Sequence, residues 1–441
     1  MSDYKLKYHL MPISGWLNDP NGLCEYKGTY HIYYQYCTDV NGNGEKCWGH
    51  YTTNDFMHYQ KEDIALYPDT EFDKDGVYSG CCYIENGMHF FYTGNVKLPG
   101  NHDYTHSGRL SNTIHVYSKD GFTFSNKEVV LNNSDYPSDL TCHIRDPKVF
   151  KENDKYYMVL GARNNKDQGC VLVYESNDLK KWTYSKRITS KEPFGYMWEC
   201  PDLIKLGEDT FLITCPQGIK QEGILYENDN QNGYFKIVND EALDYETLDY
   251  GYDFYAPHSF VDEKGRRILI AWLGLPDNPY MNPTVHDGYQ NALSLPRELK
   301  NVNHKIYQYP IQEIQNLAFN TRTVHITSDI TTLPNKASHI EIKNLNSSFL
   351  IDINNLSLKY ENHVFSLIFN HDQTNRNCRD AQISKIDSLD IFLDTSVIEI
   401  YLNQGEKVLS SMYYDDFSDL RISSKSNIDI EYSEMKAFEI K

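Results

Sequence analysis

Apolar and polar residues alternate in short runs along most of this chain, and the runs come in pairs. Five segments share one plan: "NDPNGLCEYKGTYHIYYQY" (18–36), "VYSGCCYIENGMHFFYTG" (77–94), "IRDPKVFKENDKYYMVLGA" (144–162), "WECPDLIKLGEDTFLITCP" (198–216) and "FYAPHSFVDEKGRRILIAW" (254–272). Each opens with a polar residue beside a small residue or a proline. It then runs through a short strand, turns at "YKG", "ENG", "END", "GED" or "DEKG", and returns through a second apolar strand. Gly, Asn and Asp at those turns are hairpin chemistry. The second strands begin near Tyr30, Met88, Tyr156, Thr210 and Arg267, so successive hairpins lie 58, 68, 54 and 57 residues apart. A hairpin recurring at that interval, with extra strands between, predicts propeller blades, and five copies predict a five-bladed β-propeller.

The repeat stops near residue 300, where "LPRELK" (295–300) closes the last copy. "QYPIQEIQNL" (308–317) reads as a short connector with some helical character. Beyond it come many short alternating strands, among them "HIEIKNL", "SFLIDI" and "LDIFLDTSVIEIYLN", which predict a β-sandwich. The expected organisation is all-β: a propeller catalytic domain over 1–305, a connector over 306–319 and a sandwich over 320–441. No stretch between the units has the composition of a flexible linker.

The repeat gives its opening residues a meaning they lack singly. Asn and Asp before Pro ordinarily mark a turn, so "WLNDPNG" (16–22) alone is a turn. Equivalent positions of blades face one axis, however, and Asp19, Ser79, Asp146, Glu199 and Tyr255 are expected to converge there. Three of the five are carboxylates, and like charges held together cost energy unless function keeps them. Carboxylates without metal ligands or a phosphate loop suggest glycoside chemistry, with one as nucleophile or base and another, protonated, as acid. Arg145 beside Asp146 is expected to keep that carboxylate ionised.

Composition narrows the classes. The 441 residues carry 62 acidic against 42 basic side chains, a net charge of -20, which argues against nucleic-acid partners. No apolar stretch is long enough to span a membrane. The N-terminus "MSDYKLKYHLMPISGW" lacks an apolar signal core, so a cytoplasmic protein is expected. The ten cysteines include no CxxC pair and fall mostly in apolar runs, which predicts buried free thiols. His102 and His106 have a metal-like spacing but sit in a loop composition, "NDNQNG" (228–233) lacks the acids of a calcium loop and reads as an Asn-Gly turn, and no Gly-x-Ser-x-Gly occurs. No metal or cofactor is expected. Trp48 fits the core or a sugar-pocket rim equally, and Gln35 alternates with apolar neighbours as if aimed into a channel.

These motifs together resemble glycoside hydrolase family 32, the β-fructofuranosidases. "WLNDPNG", "YYQY", "CWGH", "VYSG", "IRDPKV", "YMWECPDL", "GYDFYAP" and "LSLPREL" occur in the family's order up to about residue 300, and "LDTSVIEIYLNQGE" resembles its sandwich domain. The resemblance implies a five-bladed propeller plus sandwich and a retaining hydrolase of terminal β-D-fructofuranosides, acting on sucrose or sucrose 6-phosphate. It implies Asp19 as nucleophile, Glu199 as general acid/base and Asp146 as the residue holding fructosyl hydroxyls. Trp16, Leu17, Asn18, Gln35, Trp48, Tyr78, Ser79, Arg145, Tyr255 and Trp272 are implied to line the sugar pocket. Two other readings stand beside it: an exo-acting fructanase, and a non-catalytic fructan-binding propeller, against which the three intact carboxylates argue.

Two positions depart from the family pattern: Cys81 in "SGCC" and Tyr289 in "DGYQNALSLPREL", both expected near the pocket wall. A phosphate on the leaving sugar would need local cations, because the overall charge repels it. Lys97, Arg109, Arg163 and Lys166, in loops after second strands, are the candidates.

Overall fold

The computed structural model describes residues 4–276, 281–343, 345, 347–370, 374 and 376–441. Its first part is built from antiparallel meanders of four strands. The first comprises Gly15–Tyr26, Thr29–Cys37, Cys47–Thr53 and His58–Lys61, and the second Val77–Ile84, Met88–Lys97, Arg109–Ser118 and Glu128–Leu131. The third (Leu140–Glu152 to Thr183–Ser190) and fourth (Met197–Leu206 to Glu241–Thr247) merge into one sheet. Their outermost strands meet in parallel, with Thr189 opposite Glu241 and Ser190 opposite Ala242. The last runs through Tyr255–Val261, Arg267–Leu273, Arg297–Val302 and Lys305–Pro310.

The first strand of each meander touches the first strand of the next, and Tyr255–Val261 returns to touch Gly15–Tyr26. The ring therefore closes into a propeller. Second strands such as Thr29–Cys37 are covered on both faces by neighbouring sheets and are buried nearly throughout, which is why they read as continuous apolar runs. Outer strands such as Thr183–Ser190 are mostly exposed and read as polar.

One irregularity recurs in all five inner strands. Ladder register slips between Leu17 and Pro20, Val77 and Gly80, Arg145 and Lys148, Glu199 and Asp202, and Tyr255 and His258. A bulge places an extra residue on one strand, bends it and re-aims its side chains. Here the bulges stand together at one end of the ring.

The second part is a sandwich of two six-stranded sheets whose inner faces share one apolar core, including Ile340, Ile351, Leu358, Leu367, Ile391 and Ile400. A single helical turn, Gln312–Gln315, precedes it, and Ile311, Ile314 and Leu317 around that turn are buried with Leu17, Tyr30, Phe392 and Tyr401. The contact between the two parts is a core of its own. Both chain ends clasp it. The final strand Glu439–Ile440 pairs with His58–Lys61, and the Asp394 carboxylate accepts from the Lys7 and Tyr8 amides at 2.9 Å each.

A buried ionic group sits in the same contact. Arg297 is wholly buried and donates to Asp249 at 3.0 Å, Glu399 at 2.9 Å and Ser410 at 2.7 Å. All ten cysteines are free and seven of them are buried. Among the described residues no helix is long and apolar enough to cross a membrane.

Candidate active site

The bulges decide which side chains reach the axis. Counted from the strand pair that precedes each slip, Asp19 and Ser79 lie two residues on, Asp146 one residue on, and Glu199 and Tyr255 at the pair itself. The five opening residues therefore do not occupy one repeat position, as the sequence pattern suggested. Sliding the bulge sets the carboxylates at different depths. Asp146 takes φ 60°, a left-handed conformation that Asp tolerates better than most residues, and Cys200 and Ala256 do the same at φ 49° and 47°. Backbone strain of this kind gathers where geometry matters more than stability.

Asp19 is held from both sides. Ser79 Oγ donates to Oδ2 at 2.5 Å and Asn18 Nδ2 to Oδ1 at 3.0 Å. Asn18 is itself fixed by Trp16 Nε1 at 3.0 Å and reaches Gln35 Oε1 at 3.3 Å. Burial raises the Asp19 pKa above the ordinary carboxylate value, the Glu199 charge adds to the rise, and the two donors oppose it. The carboxylate is thus oriented and poorly solvated, the state of a usable nucleophile.

Glu199 faces a different set of donors. Arg145 gives it two hydrogen bonds on Oε1, from Nε at 2.9 Å and a terminal nitrogen at 2.6 Å. On Oε2 it accepts from Tyr255 at 2.7 Å and Gln217 at 2.8 Å. The Glu199 charge nevertheless reaches Asp19 and Asp146.

Asp146 corrects a sequence expectation. Its neighbour in the chain, Arg145, is committed to Glu199. Burial pushes Asp146 up to about 7; Arg145 opposes this, while Glu199 and Asp19 add to it. Oδ2 accepts from the Cys200 amide at 2.9 Å. The Cys200 thiol lies 3.7 Å from that oxygen and 4.0 Å from Asp19 Oδ2, so both aspartates face one sulfur. Asp19 and Asp146 are therefore both raised above the ordinary carboxylate value, in a poorly solvated space shared with one guanidinium.

Below the carboxylates the axis is closed. Pro20, Asn21, Gly80, Pro147, Pro201 and Ala256 surround a void of about 10 Å³, room for about one water. Beneath it Lys148 bonds the Ser259 carbonyl and stands 3.2 Å from Asp202 and 3.1 Å from His258 Nε2. Asp202 also accepts from Ser259, at 2.9 Å from its amide and 2.7 Å from its hydroxyl. Burial opposes its charge, but Lys148 and the Ser259 bonds outweigh that and hold Asp202 down to about 2. The pocket is blind.

The other residues expected at the site divide in two. Trp16, Asn18, Tyr78 and Arg145 keep partly open surface, and Gln35, Tyr255 and Trp272 are almost enclosed beside them. Trp16 and Trp272 meet edge to face at 6.0 Å between ring centroids. Leu17 and Trp48 are fully buried. Trp48 packs among Tyr33, Phe90 and Tyr92 and donates to the Tyr78 carbonyl at 3.1 Å, so it braces the wall from behind. Cys81 and Tyr289 are not at the pocket wall. Cys81 packs with Phe91, Ile144 and Met158 between sheets, and Tyr289 packs with Met11, Leu273, Val397 and Met412 against the sandwich. "NDNQNG" is likewise no simple turn: Asn232 is buried and bonds the carbonyls of Asp249 and Phe254.

Sequence reasoning left Gln217 and Cys200 without a role. Gln217 lies opposite Met197, two residues before Glu199, so strand pairing of "YMWECPDL" with "CPQGI" is the signal that finds it. Cys200 could be found only through the bulge.

The chain matches the model described as "Glycosyl hydrolases family 32 N-terminal domain" over residues 9–310 and that described as "Glycosyl hydrolases family 32 C terminal" over residues 297–439. It is 36% identical to a sucrose-6-phosphate hydrolase of Bacillus subtilis, over 93% of this chain and 89% of that one. Against a sucrose-6-phosphate hydrolase of Escherichia coli the figure is 34%, over 92% and 88%. A solved sucrose-6-phosphate hydrolase from Lactobacillus gasseri superposes with a TM-score of 0.88 at 26% identity, over 99% of this chain and 94% of that one. A family 32 β-fructofuranosidase of Bombyx mori in complex with sucrose superposes with a TM-score of 0.87 at 28% identity, over 99% and 95%.

Proposed function

The chain belongs to glycosyl hydrolase family 32, and from that premise we propose that it hydrolyses the terminal β-D-fructofuranosyl bond of sucrose and sucrose 6-phosphate with retention of configuration. The observation that carries the residue assignment is the division of labour between two carboxylates. Asp19 is oriented by two neutral donors, whereas Glu199 is gripped by Arg145, Tyr255 and Gln217. Asp19 attacks the anomeric carbon while Glu199, as the acid, gives a proton to the glycosidic oxygen, and the glucosyl unit leaves. Glu199 then takes a proton from water as that water attacks the fructosyl ester. Asp146, at the depth between them, accepts hydrogen bonds from fructosyl hydroxyls. These bonds strengthen as the oxocarbenium-like transition state draws charge from the ring.

A sugar that enters toward the carboxylates meets a base with room for about one water, which suits removal of a terminal residue. It also suits a short fructan, so the substrates must be compared directly: kcat/KM for sucrose and sucrose 6-phosphate should exceed that for 1-kestose and inulin. A strong preference for the fructans would replace this reading by the fructanase one. The enzyme acts in the cytoplasm in this proposal. A phosphorylated disaccharide is close to a dianion and does not cross a bilayer unaided, and ten free thiols suit a reducing compartment. Its partner is a small sugar; the charge of -20 opposes nucleic acid and anionic membrane surfaces alike.

A further inference from the structure

We propose that Arg109 and Arg163, positioned with His143 above Arg145, form a seat for a phosphate group on the leaving sugar. This rests on the fructosidase reading above and names the feature of the pocket that selects a phosphorylated disaccharide.

Arg109 begins the strand Arg109–Ser118 after the loop that follows Met88–Lys97. Its bonds are all to neutral atoms: Nε donates to the Tyr104 carbonyl at 3.2 Å and a terminal nitrogen to Asn95 Oδ1 at 3.2 Å. Among the described residues no carboxylate lies within ion-pair distance of it. The guanidinium is nonetheless partly buried, and burial and the nearby Arg145 charge both disfavour its own charge, while Tyr78 beside it favours it. A desolvated cation without a counter-charge is costly to keep, and Arg cannot escape the cost by losing its proton. The arrangement makes sense if the missing anion arrives with a ligand.

The neighbours point the same way. His143 Nε2 bonds the same Tyr104 carbonyl at 3.1 Å, so Arg109 and His143 are pinned to one atom. Burial lowers the His143 pKa to about 3, and the charges of Arg145, Arg109 and Arg163 push in the same direction. The ring is therefore a neutral prop that holds Arg109 in place. Arg163 follows Ala162, which pairs across the ladder with Ile144, and its guanidinium stacks on Tyr196 at 4.5 Å. Its carboxylate partner, Asp167 at 2.9 Å, is more than half exposed. The other nearby acid, Asp103, is turned onto the loop amides of Thr105, His106 and Ser107. Planar guanidiniums suit a phosphate better than lysine does. Of the four cations singled out in the sequence, the other two are exposed: Lys97, cross-strand from Arg109, sits over the Tyr104 ring at 5.6 Å with its amide on Asp75, and Lys166 lies near Asp139.

Arg145 is bonded to Glu199, where the glycosidic oxygen must sit, and His143 stands two residues before it on the same strand. Arg109 shares the Tyr104 carbonyl with His143, and Arg163 follows the cross-strand partner of Ile144. In this proposal the glucosyl unit leaves Glu199 toward the two arginines.

The test is the ratio of kcat/KM for sucrose 6-phosphate over sucrose, measured at low ionic strength. The wild type should show a ratio above about ten, Arg109→Gln should lower it at least about tenfold, and Arg109→Lys should restore part of it. An unchanged ratio in Arg109→Gln, or a wild-type ratio near one, would overturn the seat. Should Arg109→Gln not fold, Arg163→Gln carries the same comparison with a several-fold fall expected. Calorimetry with glucose 6-phosphate and glucose on the wild type separates this proposal from the reading beneath it. Binding of the phosphorylated sugar alone, in a protein that cleaves neither disaccharide, would uphold the seat and sink the fructosidase assignment. Equal turnover of both disaccharides would do the reverse.

Discussion

Replacing Asp146 by Asn should make the protein more stable as pH rises, while abolishing activity. Asn is nearly the same shape, tolerates the left-handed backbone at φ 60° and can still accept from the Cys200 amide. What it lacks is a charge to bury. Asp146 in the folded protein is pushed from 3.8 up to about 7, chiefly by burial. The folded state thus holds a proton that the unfolded chain releases near pH 4. The stability linked to this group is fully present below the unfolded value and is lost as pH rises through about 7. That window spans about three pH units, at about 1.4 kcal/mol each, so the buried charge costs about 4 kcal/mol above neutrality. The variant escapes this cost. Its stability relative to wild type, read by urea unfolding, should therefore grow by roughly 3 kcal/mol between about pH 5 and about pH 8. Titrating groups away from the site are common to both proteins and cancel in the difference. A difference flat to within about 0.5 kcal/mol across that range would show that Asp146 is ionised throughout, as its place beside Arg145 in the sequence suggests.

Glu199→Gln should lose several orders of magnitude of kcat on sucrose but far less on an aryl fructoside, whose leaving group needs no proton. Asp19→Ala should be inactive on both, and equal losses in the two variants would refute the assigned roles. Proton NMR of the first product should show β-fructofuranose before mutarotation, and initial α-anomer would exclude Asp19 as nucleophile. Because burial and Glu199 raise Asp19, activity should fall as pH drops through a value above that of an ordinary aspartate; an acid limb near 3.8 in kcat/KM would contradict this. Arg297→Met strips two buried carboxylates of their partner and should cost about 3–5 kcal/mol, read as a fall in unfolding midpoint. The chain without residues 320–441 exposes the apolar contact around Leu17, Tyr30 and Ile314 and is expected to aggregate; a soluble, fully active propeller would argue against that role for the sandwich.

Much of the fold was legible because its physics is local. Turns such as "ENG" and "GED" announce hairpins, and second strands covered on both faces read as unbroken apolar runs. The depth of each carboxylate was not legible. It depends on where a bulge falls, and a bulge is one residue in a ladder whose two strands are distant in sequence. That is why Asp19 and Glu199 looked like equivalents and are not. Arg145 shows the same limit: adjacency to Asp146 along the chain suggested a pair, but neighbouring residues of a strand point to opposite sides, and its guanidinium reaches Glu199. Trp48 was undecidable for another reason, since an aromatic on an inner sheet serves equally as wall or as backing. Arg109 and Arg163 could be named as cations but not told apart from Lys97 and Lys166 until the fold showed the two arginines partly buried and the two lysines exposed.

The Lys148–Asp202–His258 plug at the base of the axis has a kinetic consequence. With that end sealed, everything enters and leaves through one door. The departing glucosyl unit must clear the mouth before water can attack the fructosyl ester, and any second sugar that arrives first stands where water would have stood. Hydrolysis and transfer to another sugar then become a race at a single entrance, decided by residence time at the mouth and not by the reacting carboxylates. An occupant held longer there by Arg109 and Arg163 would slow the traffic in both directions. At high substrate the enzyme should throttle itself, and a fraction of its product should be trisaccharide.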